Sequence, residues 1–382
     1  MSGLISRLWS SSTGSADDDA GREFDTTIDE LWIFPVKSCR GIKVQQAKVL
    51  PRGLEYDREF VIVEESTHRF LTARTIPKMI LIETSIDFER QELTITIPMT
   101  ILNNDQDGIQ HVPDSTHTVS LKRPTQDQEG AGNHLNDVSI WRDTALDGFI
   151  VGSKQLTDDL STFMGRRVLL IQKGFESRLA GLEGFIPSLP EAKFDYPQHP
   201  EVSWADEYPV LMISKASLYE LDNRVKTEDD IVNENSSRFN TDRWRSSNSK
   251  GIESHRFRAN VVLSATKGLA PWDEDSWAEI QISESETKAN WMVVQRCGRC
   301  PLPSVDPDTA IRDPVVPDMF MKRDRFVAPS MPKKLCFGVQ CCPRNEIAQI
   351  RVGDKIKVVR RFNDKRANGT PIRAEDVEHE TE

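Results

Sequence analysis

Several features that define large classes of proteins are missing from this sequence. No apolar run approaches the ~18 residues that a membrane-spanning helix requires. Basic residues are in the minority, because 49 Lys and Arg stand against 60 Asp and Glu and give a formal net charge of −11. A nucleic-acid-binding protein would instead present a basic surface to the phosphates. We therefore expect no nucleic-acid partner and no stable membrane insertion.

Cysteine is scarce, with six residues in a chain of 382. That is too few for the disulfide scaffold of a secreted protein, so we expect a reducing compartment. Several catalytic signatures are missing as well, namely HExxH, GxSxG, the phosphate-binding P-loop and GxGxxG. The sequence therefore gives no sign of a zinc peptidase, an α/β-hydrolase or a P-loop or dinucleotide-binding enzyme.

The N-terminus carries only a weak targeting signal. Leu4, Ile5, Leu8 and Trp9 share one side at helical spacing, but so short a helix is marginal in water. The acidic segment that follows would be repelled by anionic lipid, and transit peptides are richer in Arg. We predict a cytoplasmic protein with a flexible arm at residues 1–28, and mitochondrial association is the alternative.

The rest of the chain predicts a folded interior. Hydrophobic residues make up 37% of the sequence, with 8 Trp and 16 Phe, and this length accommodates two domains. Short apolar runs between closely spaced turns are typical of antiparallel β-structure. We expect a mostly β protein, with an N-terminal β-barrel-like domain at 29–165, a second β-barrel with peripheral helices at 166–362 and a charged tail at 363–382.

Individual elements follow from the same patterns. Helices are predicted at 156–165 and after Ser214, where an apolar run, a capping Ser and a helical repeat follow one another. Polar stretches at 103–133 and 226–255 are predicted to be exposed insertions. The predicted strands are Leu31–Pro35, Val44–Leu50, Phe60–Glu64, Met79–Ile86, 138–143, 257–264, 277–283, 291–297 and 350–361.

The densest chemical signal is QRCGRCPLPSVDPDTA at 295–310, where two cysteines follow a strand and open a proline-rich loop. Functional side chains are commonly presented at such strand ends. A thioredoxin-like pair is disfavoured, because its first Cys needs a helix N-terminus and Pro301, Pro303 and Pro307 forbid that helix.

Two further interpretations of the cysteines stay open. Cys297 and Cys300 could bind zinc with Cys341 and Cys342, although adjacent cysteines seldom both act as ligands. Buried structural thiols are the default for single cysteines and apply here to Cys39, Cys297 and Cys336.

Three other segments carry candidate functional residues, and the first of them suits an anion. IFPVKSCRGI at 33–42 offers a Lys, a hydroxyl, an Arg and a Gly within five residues. Arg58 in EYDREF and Arg74 in FLTAR sit in or beside strands rather than on an obvious polar face. Arg258 and Asn260 in HRFRANVVLS would share one strand face by the two-residue period.

Together these segments resemble the MOSC-domain proteins with an N-terminal β-barrel domain, the group that includes the mitochondrial amidoxime-reducing component and bacterial counterparts. The matching pieces occur in the same order from about residue 29 to 360. They are PVKSCRG, YDREF, FLTAR, VLMISKASLYELDNR, FRANVVLS, EDSWAEI, RCPLPSVDPDT and the late VGD.

The resemblance implies a molybdenum cofactor, a molybdopterin whose dithiolene sulfurs hold the metal together with one protein cysteine. The family's metal-binding cysteine falls on Cys300, and Asp306 is assigned with it as a catalytic residue. A soft thiolate suits a metal already held by sulfur. The implied cofactor-binding residues are Lys37, Ser38 and Arg58 on the phosphate side, completed by Arg258, Asn260, Gly298 and Arg299.

The implied function is two-electron reduction of small N-hydroxylated compounds, with the oxygen leaving as water. No flavin, haem or iron–sulfur motif is visible, so the electrons come from a separate protein, which in eukaryotic relatives is cytochrome b5 with its reductase. The alternative is a sulfur-handling or carrier protein, because MOSC domains also form part of molybdenum-cofactor sulfurases. No pyridoxal-phosphate-binding half is evident in these residues, which disfavours a complete sulfurase.

The sequence departs from the family at three points. Ala310 replaces the Gly after Asp-Pro-Asp-Thr, and Pro303-Ser304 replaces Thr-Thr, so we expect a stiffer loop beside the metal. Glu207-Tyr208 stands where relatives often carry Thr-Ser, which alters the expected cofactor contacts at that point.

Overall fold

The computed structural model describes residues 23–99, 113–125, 127, 132–181, 200–265, 268–283, 289–328, 331–344 and 347–361. The strands of the first half are β1 (Glu23–Ile33), β2 (Ile42–Val44), β3 (Gln46–Leu50), β4 (Gly53–Leu54), β5 (Phe60–Glu64), β6 (Glu83–Asp87), β7 (Glu92–Ile97), β8 (Ser115–Ser120), β9 (His134–Ile140), β10 (Asp143–Ile150) and β11 (Val168–Lys173). Those of the second half are β12 (Val210–Ser214), β13 (Val261–Leu263), β14 (Trp277–Ser283), β15 (Ala289–Gly298), β16 (Cys336–Pro343), β17 (Ala348–Arg351) and β18 (Lys355–Arg361). The α-helices are α1 (Lys154–Met164), α2 (Lys215–Thr227), α3 (Asp229–Glu234), α4 (Thr241–Arg245) and α5 (Asp318–Met321).

Seven strands close into a barrel in the order β13-β12-β16-β15-β14-β18-β1, and β1 pairs back onto β13. Every residue of β12 and β16 is buried, as expected of strands covered on both faces. Trp277 and Trp291 fill the interior with aliphatic side chains from the neighbouring strands. The barrel is thus a closed core without free strand edges.

A second unit packs against the barrel. It contains the four-stranded sheet β5-β11-β10-β9 and the three-stranded sheet β6-β7-β8. Helix α1 begins after Ser153, whose side chain accepts a hydrogen bond from Leu156 N–H, and ends at Gly165 in the left-handed conformation. The prediction of a mostly β fold is confirmed.

The strand pairing crosses the predicted domain boundaries, which stay a prediction. β1 begins at Glu23, inside the predicted arm, and joins the barrel of the second half through β13 and β18. β11 lies beyond the predicted boundary at 165 but pairs with β5 and β10 of the first half. Local composition cannot predict that a strand pairs with the other half of the chain, because β-pairing joins residues far apart in sequence.

Several predicted elements are confirmed and others are corrected. β5, β14, α1 and the capped helix α2 lie where the patterns placed them. The predicted strand Met79–Ile86 is instead a 3₁₀ turn, Pro77–Leu81, followed by β6. The segment 350–361 is two strands, β17 and β18, joined by a turn. The sequence patterns also missed β16, and β8 lies within the stretch predicted as a loop.

The segment 226–255 is not a wholly exposed insertion. It contains α3 and α4, and its side chains Phe239, Trp244 and Ile252 are buried against α2 and α5. Residues 103–112, 126 and 128–131 of the other predicted insertion, 103–133, lie outside the described residues, as do most of the arm and all of the tail. Within the described part of the chain, no helix combines the length and the apolar character needed to cross a bilayer.

Candidate functional site

A cleft of about 790 Å³, measured to its open mouth, lies where the two units meet. The loops after β1, before β5, before β12 and before β13 form its walls together with the end of β15. Clefts between packed structural units are common ligand sites. The structure brings eight predicted site residues to this cleft: Lys37, Ser38, Arg58, Arg258, Asn260, Gly298, Arg299 and Cys300.

Cys300 differs from the other cysteines in exposure. It is half-buried just beyond β15, whereas the remaining five cysteines are buried. The residues that follow it, Leu302 and Val305, insert into the core of the first unit and anchor the loop. A thiol at the surface of a cleft, on an anchored loop, can reach a bound group.

Cys297 has an interior environment although it also borders the cleft. Its Sγ accepts hydrogen bonds from Arg299 Nη1 at 3.1 Å and Gln340 Nε2 at 3.2 Å. Burial raises the pKa of this thiol, and the nearby Arg299 only partly offsets the effect. Among the described residues no three His, Cys, Asp or Glu side chains converge as metal ligands, so nothing supports a zinc site there. Any metal at Cys300 would need further ligands from a bound cofactor.

Three residues of the cleft have a left-handed backbone that non-glycine residues rarely adopt. The φ angles are 72° at Ser38, 50° at Arg58 and 55° at Arg258. Such strain costs of order 1–3 kcal/mol per residue and clusters at functional sites. The prediction that Arg258 and Asn260 share a strand face is wrong, because β13 begins only at Val261 and Arg258 turns the chain before it.

Two arginines that line the cleft both contact the ring of Phe34. The guanidinium carbons of Arg58 and Arg258 lie 4.6 and 4.3 Å from the centre of the Phe34 ring. Arg58 donates to Asp57 Oδ2 at 2.5 Å, to Asn260 Oδ1 at 3.1 Å and to the carbonyl of Arg258 at 3.1 Å. The position of Arg58 is thus fixed by both halves of the protein.

Arg258 is incompletely satisfied within the protein. Its Nη1 donates to the carbonyl of Cys39 at 2.7 Å, while its buried Nη2 has no hydrogen-bond partner among the described residues. Burial and the neighbouring Arg58 lower the pKa of Arg258 to about 10. A buried guanidinium with an unused donor beside a second arginine is a site prepared for an anion.

Asn260 serves the architecture of the cleft. Its amide accepts from Leu211 N–H at 3.2 Å as well as from Arg58, and donates to the carbonyl of Trp32 at 3.2 Å. Through these contacts the Asn260 side chain connects the turn before β13 with both β12 and β1. Any direct contact of Asn260 with a ligand remains a prediction.

Lys37 and Arg74 add further positive charge to the cleft. Lys37 is buried and pairs with Asp206, which also accepts from Arg74 Nη2 at 2.6 Å. Burial lowers the pKa of Lys37 to about 8, although Asp206 acts in the opposite direction. Burial would raise the pKa of Asp206, but Lys37 and Arg74 outweigh it and keep the carboxylate ionised.

Asp306 lies outside the cleft lining and is fully occupied by other contacts. Its Oδ1 accepts from Asp308 N–H, Thr309 N–H and the Thr309 hydroxyl at 2.9–3.0 Å. Its Oδ2 receives Arg243 and Arg256. In this arrangement Asp306 shapes the loop that follows Cys300, and its catalytic role remains a prediction.

Some residues of the cleft were missed as site candidates. Thr72, Asp206, Glu207 and Gln340 line it, as does Arg74, which the sequence showed only as an arginine beside a strand. The neighbouring acidic pair at 206–207, directly before β12, was the available signal. Burial, together with Asp206, raises the pKa of Glu207.

The chain matches two family models. Residues 25–146 match the MOSC N-terminal beta barrel domain, and residues 199–357 match the MOSC domain. The cleft is bordered by segments of both matches.

The curated relatives include both amidoxime reducing components and molybdenum cofactor sulfurases. Mitochondrial amidoxime reducing component 2 is 26% identical in Rattus norvegicus and 28% in Homo sapiens, each over 86% of this chain and 82% of the relative. Molybdenum cofactor sulfurase of Botryotinia fuckeliana (strain B05.10) is 24% identical over 90% of this chain but 43% of that protein. With both domains in the family's order, the chain belongs to the MOSC-domain proteins that carry a MOSC N-terminal β-barrel domain.

Proposed function

We propose that the protein binds a molybdenum cofactor in this cleft and reduces N-hydroxylated compounds. The observation that carries the proposal is the convergence of the one half-exposed cysteine with a strained, cation-rich cradle. Relatives named amidoxime reducing components support the substrate class. When bound, the cofactor would supply the two-electron redox centre that no protein side chain provides.

The residues of the cleft fit an anionic, sulfur-bearing group. Arg258 offers the unused donor Nη2, and Arg58 and Lys37 add positive charge for a phosphate. Arg299 and Gly298 line the cleft beside Cys300 and would contribute side-chain and backbone donors, as the hydroxyl of Ser38 would on the phosphate side.

Cys300 would be the protein thiolate on the metal, and Arg74 is placed to support it. Burial would lower the pKa of Arg74, but Asp206 and the nearby Cys300 raise it, so this arginine stays charged. Arg74 therefore adds positive charge to the cleft that Cys300 also lines. Asp206 holds Arg74 and Lys37 on the same wall.

The remaining parts of the proposal concern partners and location. The reduction of an N-hydroxyl group to an amine consumes two electrons and two protons and releases water. We infer a separate electron-donor protein, for which cytochrome b5 and its reductase are the candidates. The cytoplasmic location remains a prediction, and the mitochondrial names of the relatives favour the alternative.

A sulfur-handling or carrier function is the second candidate. It is favoured by the sulfurases among the relatives, which match across most of this chain. In that case the cleft would hold the cofactor without reducing a substrate.

The test is purification from a host that makes the molybdenum cofactor, followed by molybdenum and pterin quantification. Reduction of benzamidoxime is then measured with a reduced dye, so that no protein donor is required. We expect stoichiometric molybdenum and turnover. Stoichiometric molybdenum without turnover would favour the carrier, and the absence of both metal and pterin would overturn the proposal.

A further inference from the structure

The loop after Cys300 is a closed hairpin with one carboxylate on each side. Val305 pairs with Arg312, and the carbonyl of Ser304 accepts from Asp313 N–H at 2.7 Å. Asp306 organises the tip through the contacts described above. Asp313 Oδ1 accepts from the N–H groups of residues 315 and 316 at 2.9 and 2.8 Å, which fixes the exit of the hairpin.

Both carboxylates are held from outside by the segment around α4. Arg243 and Arg256 bind Asp306 Oδ2, and Arg256 also donates to the carbonyl of Val305 at 3.3 Å. Trp244 Nε1 donates to Asp313 Oδ2 at 2.6 Å. Residues between 243 and 256 therefore bind both carboxylates of the hairpin.

The side chains that hold the hairpin also pack against one another. The Trp244 side chain is 2% exposed, and the guanidinium carbons of Arg243 and Arg256 lie 5.0 and 5.4 Å from the centre of its ring. Cation–π contacts with buried rings are favourable. The two arginines are thereby held near Asp306 in spite of their mutual repulsion.

We propose that Arg243 and Trp244 are positioning residues for Cys300. Neither lines the cleft, and they act by fixing the hairpin at 304–313, which begins four residues after the thiol of Cys300. This inference rests on the proposed function of Cys300 for its catalytic meaning, but the mechanical claim can be tested without the cofactor. Sites held by such outer contacts lose activity when the supporting residues are left loose.

The test uses alkylation of the cofactor-free full-length protein by iodoacetamide. Cys300 is the only cysteine that is not buried, so the rate reports on its loop, and peptide mapping by mass spectrometry verifies the modified residue. In Arg243→Ala and Trp244→Phe we expect iodoacetamide to modify Cys300 about tenfold faster, because a looser loop exposes the thiol more often. Tenfold is the smallest effect expected when a hydrogen bond to a charged group is lost. Trp244→Phe keeps an aromatic ring but removes the Nε1 donor together with the five-membered part of the buried indole.

Two further variants separate positioning from general stability. Arg245→Ala, in the same helix, removes an arginine that binds Asp229 and the carbonyls of Val225 and Glu228 but does not touch the hairpin. Its alkylation rate should stay at the wild-type value. Arg243→Lys keeps the charge and should restore part of the protection.

The cofactor-loaded protein provides an independent readout. In Arg243→Ala, kcat for benzamidoxime should fall while KM and molybdenum content stay close to wild type, because the cationic residues of the cleft are unchanged. A wild-type alkylation rate in both Arg243→Ala and Trp244→Phe would overturn the proposal. So would equal acceleration in Arg245→Ala, which would show general loosening of α4. Failure of the wild-type protein to bind molybdenum would count against the proposed function and leave the alkylation result to decide the positioning role.

Discussion

The substitution Arg258→Met tests whether the cleft is built for an anion. Methionine keeps an unbranched side chain at this position, and it removes the guanidinium, whose carbon lies over the Phe34 ring. The buried Nη2 of Arg258 has no partner among the described residues, so it is available to a ligand phosphate. We expect the variant to lose most of its pterin during purification.

The magnitude follows from the contacts of the side chain. A hydrogen bond between a guanidinium and an anion is worth about 1.5–3 kcal/mol, which corresponds to roughly a 10- to 150-fold loss of affinity. The cofactor-free protein loses the bond to the Cys39 carbonyl but also loses an unpaired buried charge beside Arg58. Loss of the hydrogen bond destabilises the fold and loss of the buried charge stabilises it, by similar amounts of about 1–3 kcal/mol each. We therefore expect Tm to change by no more than about 4 °C.

The assay is pterin and molybdenum content per mole of purified protein, with the Tm of the cofactor-free form measured in parallel. Arg167→Met is the matched control, because Arg167 is exposed and pairs with Glu65 and Asp158 away from the cleft. Wild-type cofactor content in both Arg258→Met and Arg58→Met would refute the anion-binding role of these arginines.

Three further outcomes are expected. Because the pKa of Lys37 is lowered to about 8, its charge is present below that pH and is lost above it, so sulfate binding measured by calorimetry should weaken from pH 7 to 9. Lys37→Met should bind sulfate weakly at both pH values, and an unchanged pH dependence in this variant would assign the effect to another group. Cys297→Ser should keep at least partial benzamidoxime reduction, since a hydroxyl can also accept from Arg299 and Gln340, and complete loss would contradict this. Deletion of residues 1–22, which ends before β1, should leave dye-driven reduction within about twofold of wild type, a change of under 0.5 kcal/mol in the barrier, and a larger loss would give the arm a direct role.

The sequence was informative where chemistry is local. The hydrophobic periods located β5, β14 and α1, and the loop beginning at Cys300 was recognisable from its two cysteines and its prolines. The cation-rich segments were recognisable too, because Lys, Arg and Gly in a few residues have a chemical meaning without knowledge of the fold.

The sequence was uninformative where the structure depends on distant pairing or on unusual backbone. The barrel closes through β1 and β13, which no local pattern predicts. The left-handed turn at Arg258 replaced a predicted strand, because strand periodicity does not reveal the φ angle of a single residue. Ala310, at the family's glycine position, has a φ of 58°, so the loop keeps the backbone of a glycine and bears the strain of a side chain.

The sequence also did not reveal which charged side chains have a structural role. Asp306 looked like a catalytic group in the sequence, yet its carboxylate is engaged by Arg243 and Arg256 and by the turn at Thr309. Arg243 itself lies in a segment that looked like an exposed insertion. Only the fold brings the two together.

X-ray absorption at the molybdenum edge tests the central claim most directly, by counting the sulfur neighbours of the metal in wild-type protein and in Cys300→Ser. If Cys300 is the protein thiolate on molybdenum, the variant must lose one sulfur neighbour and all benzamidoxime reduction, and Cys297→Ser must keep the wild-type count. An unchanged sulfur count in Cys300→Ser, with molybdenum still bound, would contradict the assignment.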